Sequence, residues 1–374
     1  MIIAVCKETA DLEKRVALIP DSVNKLKEDG TDIWIESGAG KASSYLDESY
    51  QQQGAEIVSD RDKIFSECDL LLAVNAPPEK DLKKMKEGSV LICFLWALQN
   101  PDLVKLLQNQ KITGLGLDAV PRISRAQSMD ALSSMSNIGG YKAVLIGANT
   151  LDRYLPMMMT AAGTIPPAKV LVIGAGVAGL QAIATAKRLG AVVEAYDIRP
   201  VVKEQVESLG AKFVEVPQVE EEETETEGGY AKEVSERQQQ KQQEVMHEHV
   251  KKSDIVITTA LVPGKKAPVL VNEAMVNDMK TGSVIVDLAA EQGGNCEVTQ
   301  AGETIQHNGV NVVGPRNLPS TLAYHASQLY AKNLLSLLSL LIKEGKLTFD
   351  FEDEIIKQTT LTHDGEIISP LLKD

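Results

Sequence analysis

The sequence predicts an α/β protein of two doubly wound parallel sheets, with a cleft between them and two long helices joining them. Short β-branched apolar runs alternate with helical patterns along most of the 374 residues. One of these runs is followed directly by a G-x-G-x-x-G motif. Two long helical patterns, about residues 128–153 and 321–343, bracket the part of the chain that holds this motif. We therefore expect a discontinuous first domain of residues 1–135 and 322–374, and a second domain of residues 136–321.

The predicted strands are apolar runs bounded by polar or glycine-containing segments. In the first domain they are Ile2–Cys6, Asp32–Glu36, Ala55–Val58, Asp69–Val74, Ser89–Phe94 and Ile112–Leu117. In the second domain they are Lys169–Ile173, Val192–Tyr196, Lys212–Val216, Asp254–Thr258, Ser283–Asp287 and Val310–Val313. Short tail strands near Leu347–Phe349 and Ile367–Ile368 are expected to return to the first domain.

The glycine motif consists of Gly174, Gly176 and Gly179, between a buried strand and a helix. The first glycine allows a tight turn, the second lets the backbone approach a pyrophosphate, and the third lets the helix pack closely on the strand. The free N–H groups at the start of that helix favour phosphate. Asp197 ends the next strand and can accept hydrogen bonds from a ribose, so NAD is favoured over NADP. Arg199, two residues later, leaves NADP open.

Composition excludes several classes of function. The formal net charge of −14 argues against nucleic acid and against an anionic membrane surface as partners. The four cysteines have no C-x-x-C spacing, so we expect no metal site, no disulfide framework and a reducing compartment. The N-terminus begins directly with a strand rather than a signal peptide, and the apolar stretch 334–342 is too short to span a bilayer. We expect a soluble protein.

A polar cluster precedes the first long helix. Gln127, Asp130 and Ser133 are spaced by three residues, so they share one face of a helix or tight turn, with Arg122 just upstream. An arginine, an amide, a carboxylate and a hydroxyl together can hold a carboxamide and a phosphate. A solvated helix start is the alternative.

Three loops of the second domain are also candidates. Two of them come after strands whose carboxyl ends face the ligand crevice; they are Thr258–Gly264 and Val286–Asn295. Either loop could instead be an ordinary turn without a role in binding. The acidic run Glu220–Glu227 should be an exposed insertion because its charges repel one another. Tyr230, after two glycines, has the form of a closing lid.

The sequence offers no obvious general base, which oxidation of an alcohol or amine would require. None of the histidines lies in residues 1–135 or in a fingerprint loop; they are His247, His249, His307, His325 and His363. Hydride transfer between two nicotinamides moves no proton at the reacting carbons. Binding groups without a base therefore fit that reaction.

The chain closely resembles the NAD(H)-binding component, domain I, of proton-translocating NAD(P) transhydrogenase. Specific motifs spread over almost the whole chain carry the resemblance; they are Pro156–Ala191, Arg122–Ser134, Gly228–Glu233, Ile257–Pro268 and Ala289–Cys296. The resemblance implies a homodimer that passes hydride to NADP(H) on a partner subunit in the Re/Si-specific reaction. It also implies a membrane proton-channel subunit and a cytoplasmic location, peripheral to the inner or plasma membrane.

The resemblance also assigns residues. Arg122, Gln127, Asp130 and Ser133 form the catalytic set as ligands on the nicotinamide side, with Gln127 reaching toward the partner's nucleotide. The predicted cofactor-binding residues are Arg122, Ile123, Ser124, Arg125, Gln127, Asp130, Ser133, Gly174, Gly176, Val177, Gly179, Asp197, Ile198, Arg199, Gly229, Tyr230, Gln242, Ala260 and Leu261. A mobile loop of about residues 217–236 carries the tyrosine.

Two alternatives remain. Alanine dehydrogenase is a relative with the same plan, and Arg15 matches its substrate arginine. Its lysine, histidine and aspartate positions are occupied by Asn75, Trp96 and Glu291, which counts against amino-acid chemistry. The other alternative is a module that senses NAD without turnover.

Overall fold

The computed structural model describes residues 1–27, 30–217, 236–262 and 264–372. The chain forms two compact units. Unit 1 consists of Met1–Met135 and Pro319–Asp374, and unit 2 consists of Ser136–Leu318. Among the described residues, no helix has the length and apolar character needed to cross a membrane.

The first stretch of unit 1 alternates strands with helices. Its strands are Ile2–Val5 (β1), Asp32–Glu36 (β2), Glu56–Val58 (β3), Leu70–Asn75 (β4), Val90–Phe94 (β5) and Thr113–Gly116 (β6). Its helices are Pro20–Lys27 (α1), Asp47–Gln52 (α2), Arg61–Glu67 (α3), Glu79–Leu82 (α4) and Pro101–Asn109 (α5). The strands are parallel in the order β3-β2-β1-β4-β5-β6. Strand β5 is buried along its whole length, as expected for a parallel sheet covered on both faces.

Unit 2 contains the glycine motif. Its strands are Met158–Thr160 (β7), Gly163–Ile165 (β8), Lys169–Ile173 (β9), Val192–Tyr196 (β10), Lys212–Phe213 (β11), Ile255–Thr258 (β12), Val284–Asp287 (β13), Thr304–His307 (β14) and Val310–Val313 (β15). Its helices are Ala131–Thr150 (α6, which starts in unit 1), Val177–Arg188 (α7), Lys203–Ser208 (α8), Glu236–Lys252 (α9) and Glu273–Asn277 (α10). The main sheet has the order β11-β10-β9-β12-β13-β15-β14, with only β14 antiparallel.

The tail returns to the sheet of unit 1. Its elements are Ala323–Leu341 (α11), Ile342–Lys343 (β16), Lys346–Leu347 (β17), Glu354–Thr359 (α12), Thr360–His363 (β18) and Glu366–Ile367 (β19). Strand β18 pairs antiparallel with β6 and with β19. Strands β16 and β17 form a separate hairpin.

The predicted fold class is confirmed, because both main sheets have the doubly wound strand order. The predictions missed the exposed hairpin β7–β8, strand β14 and the tail strand β18; β14 and β18 contain no run of apolar residues. The predicted strand 212–216 extends only to Phe213. The predicted tail strand 347–349 is instead the short β17.

Helix α6 shows how the glycines of unit 2 place its helices. A Cβ on Gly140 would lie 2.0 Å from the carbonyl oxygen of Ala178, at the start of α7. The two helices therefore meet backbone to backbone. A Cβ on Gly147 would lie 3.1 Å from Ile255 of β12, so the same helix also packs closely on the sheet. These contacts fix the position of the N-terminus of α7.

Candidate dinucleotide site

Two glycines of the motif are required by the packing of unit 2 itself. Gly174 has φ +96°, and a Cβ there would lie 2.5 Å from Oγ1 of Thr259. A Cβ on Gly179 would lie 1.8 Å from the carbonyl oxygen of Gly174. A side chain at either position would displace the loop or the first turn of α7. These two glycines would be needed whether or not a ligand binds.

Gly176 is different, because no contact within the described part of the chain requires it to be glycine. A Cβ there would meet no atom of the described residues within 4 Å. Its φ of −75° and ψ of −167° are accessible to any residue, and it caps α7 without a side-chain hydrogen bond. The missing side chain therefore leaves space at the N-terminus of a helix. That space fits a phosphate approaching the backbone closely.

Asp197 lies directly after β10 and is only 9% exposed. Its Oδ2 accepts from the backbone N–H of Ala175 at 2.7 Å, which ties it to the glycine loop. Arg199 donates its backbone N–H and its Nε to Oδ1 at 2.8 and 3.0 Å, and its Nη2 to Oδ2 at 3.0 Å. Burial alone would raise the pKa of Asp197, but the hydrogen bonds from Arg199 and Ala175 hold it below its usual value. The carboxylate is therefore charged and fixed in place beside the glycine loop.

A buried polar network holds the loop after β12. Asp287, which is fully buried, accepts from Thr258 Oγ1, Thr299 Oγ1 and the backbone N–H groups of Ala289 and Cys296, at 2.8 to 3.0 Å. The Asn295 side chain accepts from the N–H of Ala260 and donates to its carbonyl oxygen, both at 2.9 Å.

This network holds the two candidate loops after β12 and β13 in fixed positions, which the spacing of residues in the sequence does not show. Asn295 fixes both backbone polar groups of Ala260, so the following Leu261 is presented half exposed. Thr259 also donates to the carbonyl oxygen of Gly174 at 3.1 Å. The sequence placed Thr259 in a candidate loop without giving it a role, and Thr299 was missed. Thr259 could have been singled out from the sequence, because it is a hydroxyl residue directly after a buried parallel strand.

In unit 1, the polar cluster divides into two groups. Asp130 accepts from the N–H of Ser133 at 2.8 Å and from its Oγ at 2.5 Å, so these two predicted residues are in contact and cap the start of α6. Arg122 and Gln127 are exposed. Gln127 lies in a 3-10 segment, Ser124–Met129, and not in α6 itself.

The other predicted residues of this segment lie in different surroundings. Arg125 forms a bidentate ion pair with Asp353 of the tail, with both N–O distances 2.7 Å. This pair raises the pKa of Arg125 and lowers that of Asp353. Ser124 is exposed and Ile123 is half buried. The structure thus places Arg125 against its own unit.

Residues of the predicted lid are mostly outside the described residues of the chain. Gly229 and Tyr230, with nearly all of the segment 217–236 and the acidic run within it, are among these undescribed residues. Gln242 is described, and it lies half buried on α9. In the motif itself, Val177 opens α7, and Ile198 is exposed beside Asp197.

Two of the residues that match the alanine dehydrogenase substrate site, Arg15 and Asn75, share one hydrogen-bond network in unit 1. Arg15 pairs with both carboxylate oxygens of Glu13, at 2.7 and 2.6 Å, and its side chain is 6% exposed. Asn75 donates to Glu13 at 2.9 Å, and Glu8 accepts from the N–H of Val74 at 2.6 Å. The guanidinium is therefore already engaged by a carboxylate of its own chain.

Burial and a neighbouring charge shift the pKa values of Glu8 and Glu13 in opposite directions. Burial raises the pKa of Glu8 to about 7, against hydrogen bonds from Val74 and Asn75. Burial would also raise the pKa of Glu13, but the hydrogen bonds and charge of Arg15 lower it to about 2. Trp96 stacks on Phe94, and both line a cavity of about 430 Å³ in unit 1.

A glycine loop at the start of a helix, with an acid after the neighbouring strand, defines unit 2 as a dinucleotide-binding unit of the Rossmann type. The family model "Alanine dehydrogenase/PNT, N-terminal domain" matches residues 4–139, and the C-terminal domain model matches residues 143–370. The chain belongs to this family, on the branch of the NAD(P) transhydrogenase alpha subunits.

The similar proteins include both branches of the family. An NAD(P) transhydrogenase alpha-subunit protein of Rhodospirillum rubrum is 50% identical over 100% of this chain and 99% of its own. The crystal structure of transhydrogenase from Sinorhizobium meliloti has a TM-score of 0.89 and 44% identity, covering 98% of this chain and 100% of its own. An L-alanine dehydrogenase structure has a TM-score of 0.82 and 26% identity, covering 100% and 98%.

Proposed function

We propose that the chain is the NAD(H)-binding component of a proton-translocating transhydrogenase. In this proposal it transfers hydride between NADH and NADP⁺ held on a partner subunit. The observation that carries the proposal is Gly176, whose missing side chain is explained by a bound phosphate and by no contact among the described residues. The kind of reaction is inferred from the similarity to NAD(P) transhydrogenase alpha subunits.

In this proposal unit 2 binds the adenosine and the pyrophosphate of the cofactor. The backbone around Gly176 and Val177 binds the pyrophosphate at the start of α7, and Asp197 accepts from the ribose hydroxyls. Ala260 and Leu261, held by Asn295, border the cofactor. The bound dinucleotide would supply the hydride. The roles of Ile198, Gly229, Tyr230 and Gln242 stay predictions from the resemblance.

The segment 122–133 is proposed to serve the nicotinamide. Direct hydride transfer needs positioning rather than a base. Asp130 suits this role, because its carboxylate is committed to Ser133 and orients that hydroxyl. Arg122 and Gln127 have exposed side chains that can reach a second molecule. Arg125 is the weakest of the proposed ligands, because it would have to leave Asp353 to bind the cofactor.

The proposal includes partners. The relatives are named as the alpha subunit, or a portion of it, of a larger enzyme. We extend this to a homodimer that binds an NADP(H)-binding subunit, acts in the Re/Si-specific reaction and lies peripherally on the membrane through a proton-channel subunit.

The test combines this chain with a purified NADP-binding transhydrogenase subunit and follows single-turnover reduction of an NADP analogue by NADH. Gln127→Asn shortens the side chain by one methylene, and we expect the hydride-transfer rate to fall about ten- to a hundredfold because a displacement of about 1 Å is that costly. NADH affinity should barely change. Arg122→Ala is the contrast, and it should weaken NADH binding as well.

An unchanged rate in Gln127→Asn would remove the segment 122–133 from the proposed hydride site. No reduction by the wild-type pair would contradict the proposed function itself. Amination of pyruvate by NADH and ammonium, in proportion to the protein added, would favour the alanine dehydrogenase alternative. We expect none, since Arg15 is held by Glu13, and Asn75 and Trp96 take the lysine and histidine positions.

A further inference from the structure

The carboxylate of Asp197 has no free acceptor site in this structure. Each of its two oxygens accepts two hydrogen bonds: Oδ1 from the backbone N–H and Nε of Arg199, and Oδ2 from Ala175 and Nη2 of Arg199. A carboxylate offers about four lone-pair sites. The two ribose hydroxyls of a dinucleotide therefore cannot bind until some of these donors leave.

Only the guanidinium can leave at low cost. The two backbone donors are fixed by the glycine loop and by the chain direction after β10. The side chain of Arg199 is 47% exposed, whereas that of Asp197 is 6% exposed. Ribose binding at Asp197 thus requires Arg199 to swing away from the acid.

We propose that Asp197 excludes a 2′-phosphate in two ways, by repelling it and by occupying Arg199, which is a concealed receptor for that phosphate. This inference rests on the proposed function, because it assumes that the adenosine ribose lies at Asp197. As long as the acid is present, the donors of the guanidinium are taken up by the bidentate pair, and a phosphate would have to approach the carboxylate oxygens themselves. If the acid is neutralised, the same guanidinium stands two residues from the ribose position with its donors free. Arginine is well suited to bind a phosphate through two parallel hydrogen bonds.

The structure therefore assigns Arg199 a role opposite to that of an ordinary cofactor ligand. In the wild-type protein it competes with NADH for Asp197 and contributes nothing to NADPH. It acts on NADPH only when Asp197 is changed. The pair, rather than the acid alone, determines which dinucleotide binds.

Four proteins test the inference: the wild type, Asp197→Asn, Arg199→Gln and the double variant. Each is titrated with NADH and with NADPH, following the fluorescence of the bound dihydronicotinamide at low and high salt. Asparagine retains an oxygen for the N–H of Ala175, and glutamine retains part of the arginine's length without its charge. Circular dichroism confirms that each variant is folded.

We expect Asp197→Asn to bind NADPH about ten- to a hundredfold more tightly than the wild type does, the range of one charge-assisted hydrogen bond. This gain should be clearly smaller in the double variant, where only the repulsion is removed and the guanidinium is absent, and it should weaken with salt in the single variant. Arg199→Gln should bind NADH more tightly than the wild type, by up to about tenfold, because the competing donor is gone.

Equal NADPH affinity in Asp197→Asn and the double variant would overturn the inference, as would no gain in Asp197→Asn. Arg199→Gln provides a second route, because its half-exposed side chain can be replaced even if Asp197→Asn fails to fold. Unchanged NADH affinity in Arg199→Gln would overturn the competition, and a clear loss would show in addition that the arginine is an ordinary ligand. A wild type that binds neither nucleotide would overturn the proposed function together with this inference, whereas NADH binding with an NADPH affinity indifferent to Arg199 overturns the inference alone.

Discussion

The two units have the same sheet topology and, at one point, the same contact. Strand orders β3-β2-β1-β4-β5-β6 and β11-β10-β9-β12-β13-β15 correspond strand for strand. In each unit an acid follows or ends the second strand and accepts from the N–H two residues beyond the first strand. Glu36 accepts from Lys7, and Asp197 accepts from Ala175, both at 2.7 Å. The topology and the acid are therefore not enough to identify a nucleotide site.

The two units differ at the carboxyl ends of their central strands, in the space left open there and in the partners of the backbone N–H groups. In unit 2 a glycine loop leads directly from β9 into α7 and leaves the space at Gly176 open. In unit 1 residues 6–19 separate β1 from α1, and side chains of the chain itself occupy the backbone donors. Glu8 accepts from the N–H of Val74 at the end of β4. The space at Gly176 makes the edge of unit 2 open, whereas the edge of unit 1 is closed in the sense that Glu8 already takes the backbone donor at the end of β4.

The largest expected effect comes from Gly179→Ala. Its new Cβ would fall 1.8 Å from the carbonyl oxygen of Gly174, so either the loop or α7 must shift. We expect a loss of about 3 kcal/mol or more in the free energy of unfolding, measured by urea denaturation, together with loss of NADH binding. Gly176→Ala is the matched control and should unfold like the wild type. Equal stability of the two variants would contradict the distinction between packing glycine and ligand glycine.

Gly176→Ala should itself affect binding but not stability. The new methyl group meets no atom in the part of the chain that the structure describes, but it would occupy the space proposed for the pyrophosphate. We expect NADH affinity to fall about ten- to a hundredfold, the equivalent of an overpacking cost of about 1–3 kcal/mol. Fluorescence titration with NADH measures this. Full affinity in the variant would mean that the open edge of unit 2 is not the phosphate site.

The smallest expected effect tests the closed edge of unit 1 through pH. The pKa of Glu8 is about 7 in the folded protein against an ordinary value of 4.5, so the folded state holds this proton longer than the unfolded state. Its contribution to stability is therefore complete below pH 4.5 and is lost as the pH rises through 7. We expect Glu8→Gln to gain about 1–3 kcal/mol over the wild type between pH 5 and 8, by thermal unfolding.

Glu56→Gln, at an exposed position of the same sheet, serves as the control and should follow the wild type at every pH. The contribution of Glu13 has the opposite sign. Its pKa of about 2 means that its stabilisation is lost only as the pH falls below 4.5, so it does not enter the comparison above pH 5. If Glu8→Gln has the same pH profile of stability as the wild type, the carboxylate of Glu8 is hydrated rather than buried, and the closed edge of unit 1 is contradicted.

The sequence by itself determined most of the strands, the glycine loop and the acid that follows the neighbouring strand. These features depend on local rules, since a buried parallel strand is a run of a few apolar residues and the loop is a fixed spacing of glycines. Strand β9 was predicted with both ends correct, as were β10 and β15. The antiparallel strand β18 was missed because its pairing with β6 depends on the folded sheet rather than on its own pattern.

Only the tertiary structure decided which polar groups are already satisfied. Asn75 and Glu8, 67 positions apart in the chain, share a hydrogen bond, and Arg125 pairs with Asp353, 228 positions away. Sequence spacing marks such residues as candidates but does not show whether their donors and acceptors are occupied. The same limit hid the difference between Gly176 and Gly179, which are alike in the motif and opposite in their surroundings. The physical reason is that occupancy of a hydrogen bond or of a small volume depends on atoms brought together by folding, whereas local periodicity depends only on neighbours along the chain.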